Sequence, residues 1–330
     1  MKQTLRIKKG VTVLVAVLAL FAINAALFAG SESAEKATGG KKLVVGFSQN
    51  DTNNPWGTAE TESVKSEAAK RGIELKYADA MTKQANQIKA IRAFIAQDVD
   101  AIFLAPQVET GWEPVLKEAK AAGIPVFLLD RGVDVTDGSL YVTLLASDFV
   151  FEGEEAGKWL AKEMNYKGNI VELQGTPGAS PTIDRKKGFE NIINKYPDLK
   201  IIKSQTAEYQ MGKGKELMEA FLKAEGQNID AVYAHNDAMA LGAIQAIEEY
   251  GLKPSEDIII VSVDAIKDAF EAMVAGKLNC TVECTPLLGP GAFDALEKYL
   301  AGEKLPKWIK SEDQVFTKDT AAAHIGSRKY

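Results

Sequence analysis

Gly123-Ile124-Pro125-Val126-Phe127-Leu128-Leu129-Asp130-Arg131-Gly132 is the stretch that decides the fold. Its apolar run from Val126 to Leu129 is unbroken, which suits a strand buried on both faces, as in a parallel sheet covered by helices. The run stops at Asp130-Arg131, followed by Gly132. A carboxylate and a guanidinium therefore leave a buried strand together at its carboxyl end, where open α/β sheets bind ligands. Asp accepts hydrogen bonds and Arg donates them through a planar fork. A sugar hydroxyl does both, so the pair suits a polyol. The plainer alternative, a solvated loop salt bridge, weakens because other segments point to the same place.

Outward from this stretch the chain alternates strand and helix. Residues 43–47, 73–77 and 100–104 read as strands. Pro55 opens a helix that reaches Arg71-Gly72, with Pro in the first turn and Gly past the end. Ile88, Ile91, Phe94 and Ile95 share one face of the next helix. A further helix spans about 111–122. After Asp148 the pattern restarts: a helix with Gly157, Trp159 and Leu160, a strand at 169–173, helices at 183–196 and 212–224 around a strand at 199–203, then strand, helix 237–250 and strand 258–263.

The restart is an internal repeat at domain scale. Asp230-Ala231-Val232-Tyr233 matches Asp100-Ala101-Ile102-Phe103, each inside a βαβαβ unit. Alternation throughout implies two parallel sheets flanked by helices. A strand near 280–284 and a helix at 289–300 follow the second unit and are placed to rejoin the first domain.

The first 29 residues read as a signal peptide, not as part of this fold. Lys2, Arg6, Lys8 and Lys9 precede an apolar run at 11–29, and cleavage after Ala29 is expected, with Leu27 an imperfect −3 residue. An uncleaved anchor is the alternative, since the run approaches a bilayer span. Residues 30–40 read as a flexible leader. The full chain has 39 basic and 45 acidic residues, net −6; losing four basic residues and no acid brings it to −10. Such a chain has no electrostatic footprint for nucleic acid. The length left after the leader makes two domains the prior expectation. Cys280 and Cys284 lie four apart in one strand, ~13 Å between same-face residues, so two free, buried thiols are expected.

Enzyme readings find little support. No Gly-x-Gly-x-x-Gly follows a strand, there is no phosphate loop, and His235 and His324 have no Cys or acidic cluster at metal-ligand spacing. Neither catalytic residues, a metal nor a cofactor is expected. His235 reads as a wall of a cleft.

These residues resemble the periplasmic solute-binding proteins of the ribose-binding type, which feed ABC importers. The likeness covers residues 41–330. It rests on Gly46-Phe47-Ser48 through Asn54-Pro55-Trp56, on Gly123-Ile-Pro-Val with Asp130-Arg131, on Asp184-Arg185-Lys-Lys-Gly-Phe189, on His235-Asn236-Asp237-Ala-Met-Ala-Leu-Gly-Ala243, and on Val263-Asp264. Gly111-Trp-Glu-Pro-Val-Leu-Lys-Glu-Ala-Lys120, Val171-Glu-Leu-Gln-Gly175 and Phe293-Asp-Ala-Leu-Glu-Lys-Tyr299 are similar to members that bind galactofuranose. The resemblance implies an α/β type I fold: two doubly wound parallel-sheet domains joined by a three-strand hinge. The implied lobes are 41–144 plus 285–312 and 145–284 plus 313–330, with crossings near 144–146, 283–286 and 311–314.

The same resemblance implies a site. Trp56 takes the position of an aromatic ring that stacks on the sugar, whose C–H face is apolar. Asn54 takes that of an amide contact, though Asn before Pro is also ordinary turn chemistry. Asp130 and Arg131 match an acceptor–donor pair, Arg185 the second domain's guanidinium, and Tyr209 a second aromatic position. Asn236 and Asp264 stand at strand ends of the second sheet. Near 284 the family carries a Gln two residues before a Pro; here Cys284 precedes Thr285-Pro286, which removes an amide contact and argues against ribose itself. Trp112 has no counterpart and reads as a packed or exposed residue outside the site. The implied protein is a periplasmic, monomeric, non-enzymatic carrier of a monosaccharide, with galactofuranose or a similar furanose or hexose as ligand. Its implied partners are the inner-membrane permease subunits and, as a further candidate, a chemoreceptor. A sugar sensor is the alternative. A transcription regulator's ligand-binding core would need a basic helix-turn-helix where this chain has an export signal.

Overall fold

The Val126–Leu129 strand is buried at every position, and its side chains alternate between two cores. Val126 and Leu128 enter one, Phe127 and Leu129 the other. The structure is a computed structural model, and it describes residues 42–330; the signal peptide and leader expected over 1–40 lie outside the described residues.

Chain order opens with β1 (Val44–Gln49), α1 (Pro55–Lys70), β2 (Glu74–Asp79), α2 (Gln84–Ala96), β3 (Ala101–Leu104), α3 (Glu113–Ala121), β4 (Val126–Leu129) and β5 (Leu144–Ala146). A second set follows: α4 (Phe149–Glu163), β6 (Gly168–Gln174), α5 (Ser180–Ile193), β7 (Leu199–Thr206), α6 (Met211–Glu225), β8 (Ala231–Ala234), α7 (Asp237–Tyr250), β9 (Ile259–Asp264), α8 (Lys267–Val274) and β10 (Cys280–Glu283). The chain closes with α9 (Gly289–Leu300), β11 (Trp308–Lys310), β12 (Val315–Thr317) and α10 (Lys318–His324).

Two six-stranded sheets result, ordered β11-β5-β4-β3-β1-β2 and β12-β10-β9-β8-β6-β7. Every pairing is parallel except β10 with β12. Each sheet has a buried core on both faces, as a doubly wound sheet must. The repeat read from the sequence is physical. Asp100 Oδ2 accepts from the Val44 N–H at 2.8 Å, and Asp230 Oδ2 accepts from the Asn169 N–H at 2.7 Å. In both lobes the same carboxylate fixes the start of the neighbouring central strand.

The chain passes between sheets after β5, after β10 and after β11, and the crossings bond to one another. The Ser311 N–H donates to the Ala146 carbonyl at 3.1 Å, the Glu283 N–H to the Gln314 carbonyl at 2.7 Å, and Ser147 Oγ to Asp313 Oδ1 at 3.1 Å. Helix α5 starts at Ser180, three residues earlier than the reading of 183–196, because Pro181 takes a first-turn position where its missing N–H costs nothing. Cys280 and Cys284 are both free and buried.

One close approach sets the geometry of the second lobe. A Cβ at Gly153 would lie 2.2 Å from the Arg185 carbonyl oxygen, and one at Gly188 would lie 2.1 Å from that of Val150. Helices α4 and α5 therefore meet backbone to backbone, and this brings Glu152 against Arg185.

Candidate functional site

The carboxyl ends of the strands in both sheets face one cavity. Asn54, Trp56, Asp130 and Arg131 line it from the first lobe; Arg185, Tyr209, Asn236 and Asp264 line it from the second. All eight residues singled out in the sequence are brought together there. Pro181 and Cys284 complete the wall.

In the first lobe β4 ends in a left-handed turn, with Asp130 at φ +59°. The backbone is held by the Asp130 N–H donating to the Leu145 carbonyl at 2.8 Å. Asp130 and Arg131 are only 7 % and 8 % exposed. Arg131 donates through NH1 to the Gln107 carbonyl at 3.1 Å, while its Nε lies 3.4 Å from Asp130 Oδ2. That Nε contact is an ion pair without hydrogen-bond geometry, so a buried guanidinium donor makes no hydrogen bond within the protein. Asn54 is the N-cap of α1; its Oδ1 accepts from the Gly57 N–H at 2.8 Å. Its amide nitrogen faces Asp51 at a long 3.4 Å.

The second lobe mirrors this. Asn236 caps α7 through Oδ1, accepting from the Met239 N–H at 3.0 Å. Arg185 is 3 % exposed, whereas its neighbour Lys187 on the same helix is exposed, so Arg185 turns inward from the charged run. Its Nε donates to Glu152 Oε2 at 2.7 Å, NH1 to the His235 carbonyl at 2.6 Å, and NH2 to Asp264 Oδ1 at 3.5 Å. Tyr209 sits at φ +63° and shares a hydrogen bond of 2.9 Å with Thr182 Oγ1. Gly175 makes room for its ring, since a Cβ there would fall 1.9 Å from Tyr209 Cζ.

Contacts across the cleft are made, so the lobes are closed on each other. The Arg131 guanidinium lies 5.5 Å from the centroid of the Tyr209 ring. The Trp56 indole donates to the Cys284 carbonyl at 2.7 Å, the Glu109 N–H to the Gly178 carbonyl at 2.8 Å, and the Gly132 N–H to Ser180 Oγ at 3.0 Å.

Burial dominates the electrostatics. It pushes Asp264 well above the usual carboxylate range and raises Asp130, against the opposing charges of Arg185 and Arg131. It lifts the Tyr209 phenol to about 12, so near neutrality this group is an uncharged donor and acceptor. Desolvation likewise raises Glu152, opposed by the Arg185 charge.

One expectation changes. His235 is not a cleft wall: its ring is fully buried beneath the site with Nε2 2.9 Å from Glu172 Oε1, and only its carbonyl serves Arg185. Trp112 is fully buried in the core between α2, α3 and the first sheet, outside the cavity. The supporting residues Gln107, Glu152 and Thr182 went unread, because nothing in their local pattern separates them from loop or helix-surface residues. Among the described residues no group of three or more His, Cys, Asp or Glu side chains is placed to hold a metal ion.

Residues 45–304 match the family described as the periplasmic binding protein domain. The galactofuranose-binding protein YtfQ of Escherichia coli (strain K12) is 55 % identical over 291 residues, spanning 87 % of this chain and 92 % of that protein. Among solved structures, the periplasmic binding protein component of the arabinose ABC transporter from Shewanella sp. ANA-3, bound to α- and β-L-arabinofuranose, is 55 % identical. Its TM-score is 0.85, with 87 % of this chain and 96 % of that one covered. A structure from Mycobacterium smegmatis in complex with β-D-fucofuranose is 48 % identical with a TM-score of 0.85, covering 87 % and 95 %. With two doubly wound lobes, three crossings and a cavity between the strand ends, the chain belongs to the periplasmic binding protein family, in its type I fold.

Proposed function

We propose that this protein is the solute-capturing component of an ABC sugar importer, holding one monosaccharide in furanose form between its lobes. The observation that carries the reading is a cavity that both lobes line with charged and aromatic groups, Arg131 among them with a buried Nε that makes no hydrogen bond. Buried guanidinium donors are seldom left unpaired, and a sugar hydroxyl supplies the missing acceptor. Around it stand carboxylates that accept, Asp130 and Asp264, a second donor, Arg185, and two flat rings, Trp56 and Tyr209. Such rings suit the apolar C–H face of a sugar, and the charged groups suit its hydroxyl rim.

The three similar proteins are named for, or bound to, galactofuranose, arabinofuranose and fucofuranose. Galactofuranose is accordingly the first ligand to test. Cys284 supports a preference within this class: a thiol lines the wall and makes a weaker partner than an amide would. In this reading the chain acts in the periplasm as a monomer, exported by its N-terminal segment. Mass spectrometry of the protein from its host is expected to show a mature start between residues 30 and 34. The closed form, with lobes bridged by ligand, is what the permease subunits recognise. The protein's part is capture and presentation, with no bond made or broken.

Titration calorimetry and thermal shift with D-galactose, D-fucose, L-arabinose and D-ribose test the proposal. All four equilibrate with furanose forms, and a co-crystal shows which ring is taken up. Binding of galactose or arabinose as a furanose is expected, with ribose weaker; no binding of any of the four overturns the reading.

A further inference from the structure

The loop after β3 serves the cavity, yet the two side chains that hold this loop in place do not line it. Through its carbonyl Gln107 accepts from Arg131 NH1 at 3.1 Å, and the Glu109 N–H donates to the Gly178 carbonyl of the second lobe at 2.8 Å. Residues 105–109 thus give the Arg131 fork its backbone acceptor and touch the other lobe. The loop is fixed from behind by Gln87, a fully buried residue near the start of α2. Its Oε1 accepts from the Gln107 N–H at 2.8 Å, and its Nε2 donates to the Ala105 carbonyl at 2.7 Å. One planar amide therefore supplies both an acceptor and a donor to backbone groups two residues apart. Ala105 is tied in turn to β1, its N–H donating to the Ser48 carbonyl at 3.0 Å. Further along, the fully buried Trp112 donates through its indole Nε1 to the Val108 carbonyl at 2.5 Å.

We propose that Gln87 and Trp112 are positioning residues for sugar binding: they hold the loop 105–109, and through the Gln107 carbonyl they set where the Arg131 guanidinium points. This rests on the proposed sugar site. Arginine has a long rotatable stem, and its planar fork is useful only when aimed. The Asp130 contact is an ion pair at 3.4 Å without hydrogen-bond geometry, so the Gln107 carbonyl sets the angle of the fork. A displacement of that carbonyl by about 1 Å would take NH1 out of hydrogen-bond range. The core around Gln87 is apolar, with Ile91 on the same face of α2, Leu116 on α3 and Ile102 and Leu104 on β3. A buried amide in such a core costs stability unless it is bonded, and the bonds of Gln87 go to backbone at the carboxyl ends of β1 and β3 and in the loop.

The test uses Gln87→Met, which keeps length but neither donor nor acceptor, and Trp112→Phe, which keeps a buried ring without its N–H. Ile91→Ala is the control, since it loosens the same core and breaks no hydrogen bond to the loop. Calorimetry with D-galactose is expected to show affinity weaker by about tenfold in Gln87→Met and about fivefold in Trp112→Phe, with Ile91→Ala within about twofold of wild type although its Tm also falls. Wild-type affinity in either loop variant, or an equal loss in Ile91→Ala, would overturn the proposal. Should Gln87→Met not fold, the comparison of Trp112→Phe with Ile91→Ala decides in the same way. Nitrogen-15 NMR of the arginine side chains gives a readout that needs no sugar. The Arg131 Nε–Hε signal, identified by its loss in Arg131→Lys, is expected to shift in Gln87→Met and to stay in place in Ile91→Ala; an unmoved signal in Gln87→Met sinks the proposal. A wild type that binds none of the sugars while this signal moves would count against the transport reading alone.

Discussion

Trp56 and Cys284, 228 positions apart, are joined by one hydrogen bond, from the indole Nε1 to the Cys284 carbonyl at 2.7 Å. Trp56 stands at the start of a first-lobe helix, yet it packs against both cores of the second lobe. Cys284 lies on the second crossing between lobes and its N–H donates to the Asp264 carbonyl at 3.3 Å. The ring proposed to face the sugar is thus tied to the hinge and to the acceptor across the cleft, by a bond that spans the two lobes.

Trp56→Phe keeps an aromatic face but removes the donor. The closed form would then leave a half-buried carbonyl unpaired, and sugar affinity is expected to fall about tenfold, for a cost of roughly 1–2 kcal/mol. Trp56→Ala, which also loses the ring, is expected to bind more weakly still. Small-angle scattering of wild type should show compaction on saturation with D-galactose and less of it in Trp56→Phe; equal radii with and without sugar would count against hinge closure.

A second prediction concerns the seam beside the hinge. Glu109 of the first lobe and Asp184 of the second both border a cavity there, and each is raised, by burial first; the Asp184 charge is the next cause for Glu109. Like charges from opposite lobes oppose closure. Asp184→Asn or Glu109→Gln should therefore strengthen sugar binding by roughly two- to fivefold at low salt, and the gain should shrink at about 1 M salt, where screening is short-ranged. Weaker binding in both variants would show that these carboxylates assist closure.

Stability should depend on pH in an uncommon direction. Glu60 holds its proton in the folded chain up to about pH 8, against an ordinary 4.5. Between those values the folded state binds a proton that the unfolded state has released. Its contribution is full below about 4.5 and is lost as pH rises to about 8. Burial gives Asp237 and Asp313 the same sign, with folded values of about 6. Glu172, pushed down to about 2 with the His235 hydrogen bond and charge overcoming burial, acts oppositely: its contribution is present above the ordinary value and lost toward pH 2. Tm is expected to rise as pH is lowered from 8 to about 5, and Glu60→Gln should flatten that rise. A Tm that climbs steadily from pH 5 to 8 in wild type would contradict this balance.

Most of the fold was legible because buried parallel strands announce themselves as apolar runs. The Asp-Ala-apolar-aromatic repeat marked equivalent central strands, and the structure shows its carboxylate bonding the same neighbour in each lobe. Strands β11 and β12 were not legible: three residues each, they are held by partners more than a hundred positions away or by a hinge strand. The eight cavity residues could be read because they follow strand ends or lie in a family motif. Glu60 could not. On a helix with a weak apolar stripe, Ala-Glu-Thr-Glu reads as solvated surface, and only the tertiary contact with Gln49 shows otherwise. His235 misled for a related reason, since a polar residue at a strand end can face inward when a buried carboxylate such as Glu172 receives it.

The most direct prediction concerns Arg131. Its guanidinium touches Asp130, the Gln107 carbonyl and the Tyr209 ring, so it joins the first lobe's acceptor to the second lobe's aromatic wall. Charge-assisted hydrogen bonds contribute about 1.5–3 kcal/mol each. Loss of two to the sugar in Arg131→Ala should weaken binding by roughly a hundredfold or more, at about 1.4 kcal/mol per decade. The substitution also leaves Asp130, already raised by burial, without its nearest cation. Asp130 would then take up a proton more readily, and residual binding by Arg131→Ala should improve as pH falls. Arg131→Lys should fail nearly as badly, because an ammonium cannot hold Gln107, Asp130 and a hydroxyl in one plane. Calorimetry on the three proteins, with melting curves to confirm the fold, decides the matter: near-normal affinity in Arg131→Ala would take this residue out of the site and leave the Asp130–Arg131 contact as a structural ion pair.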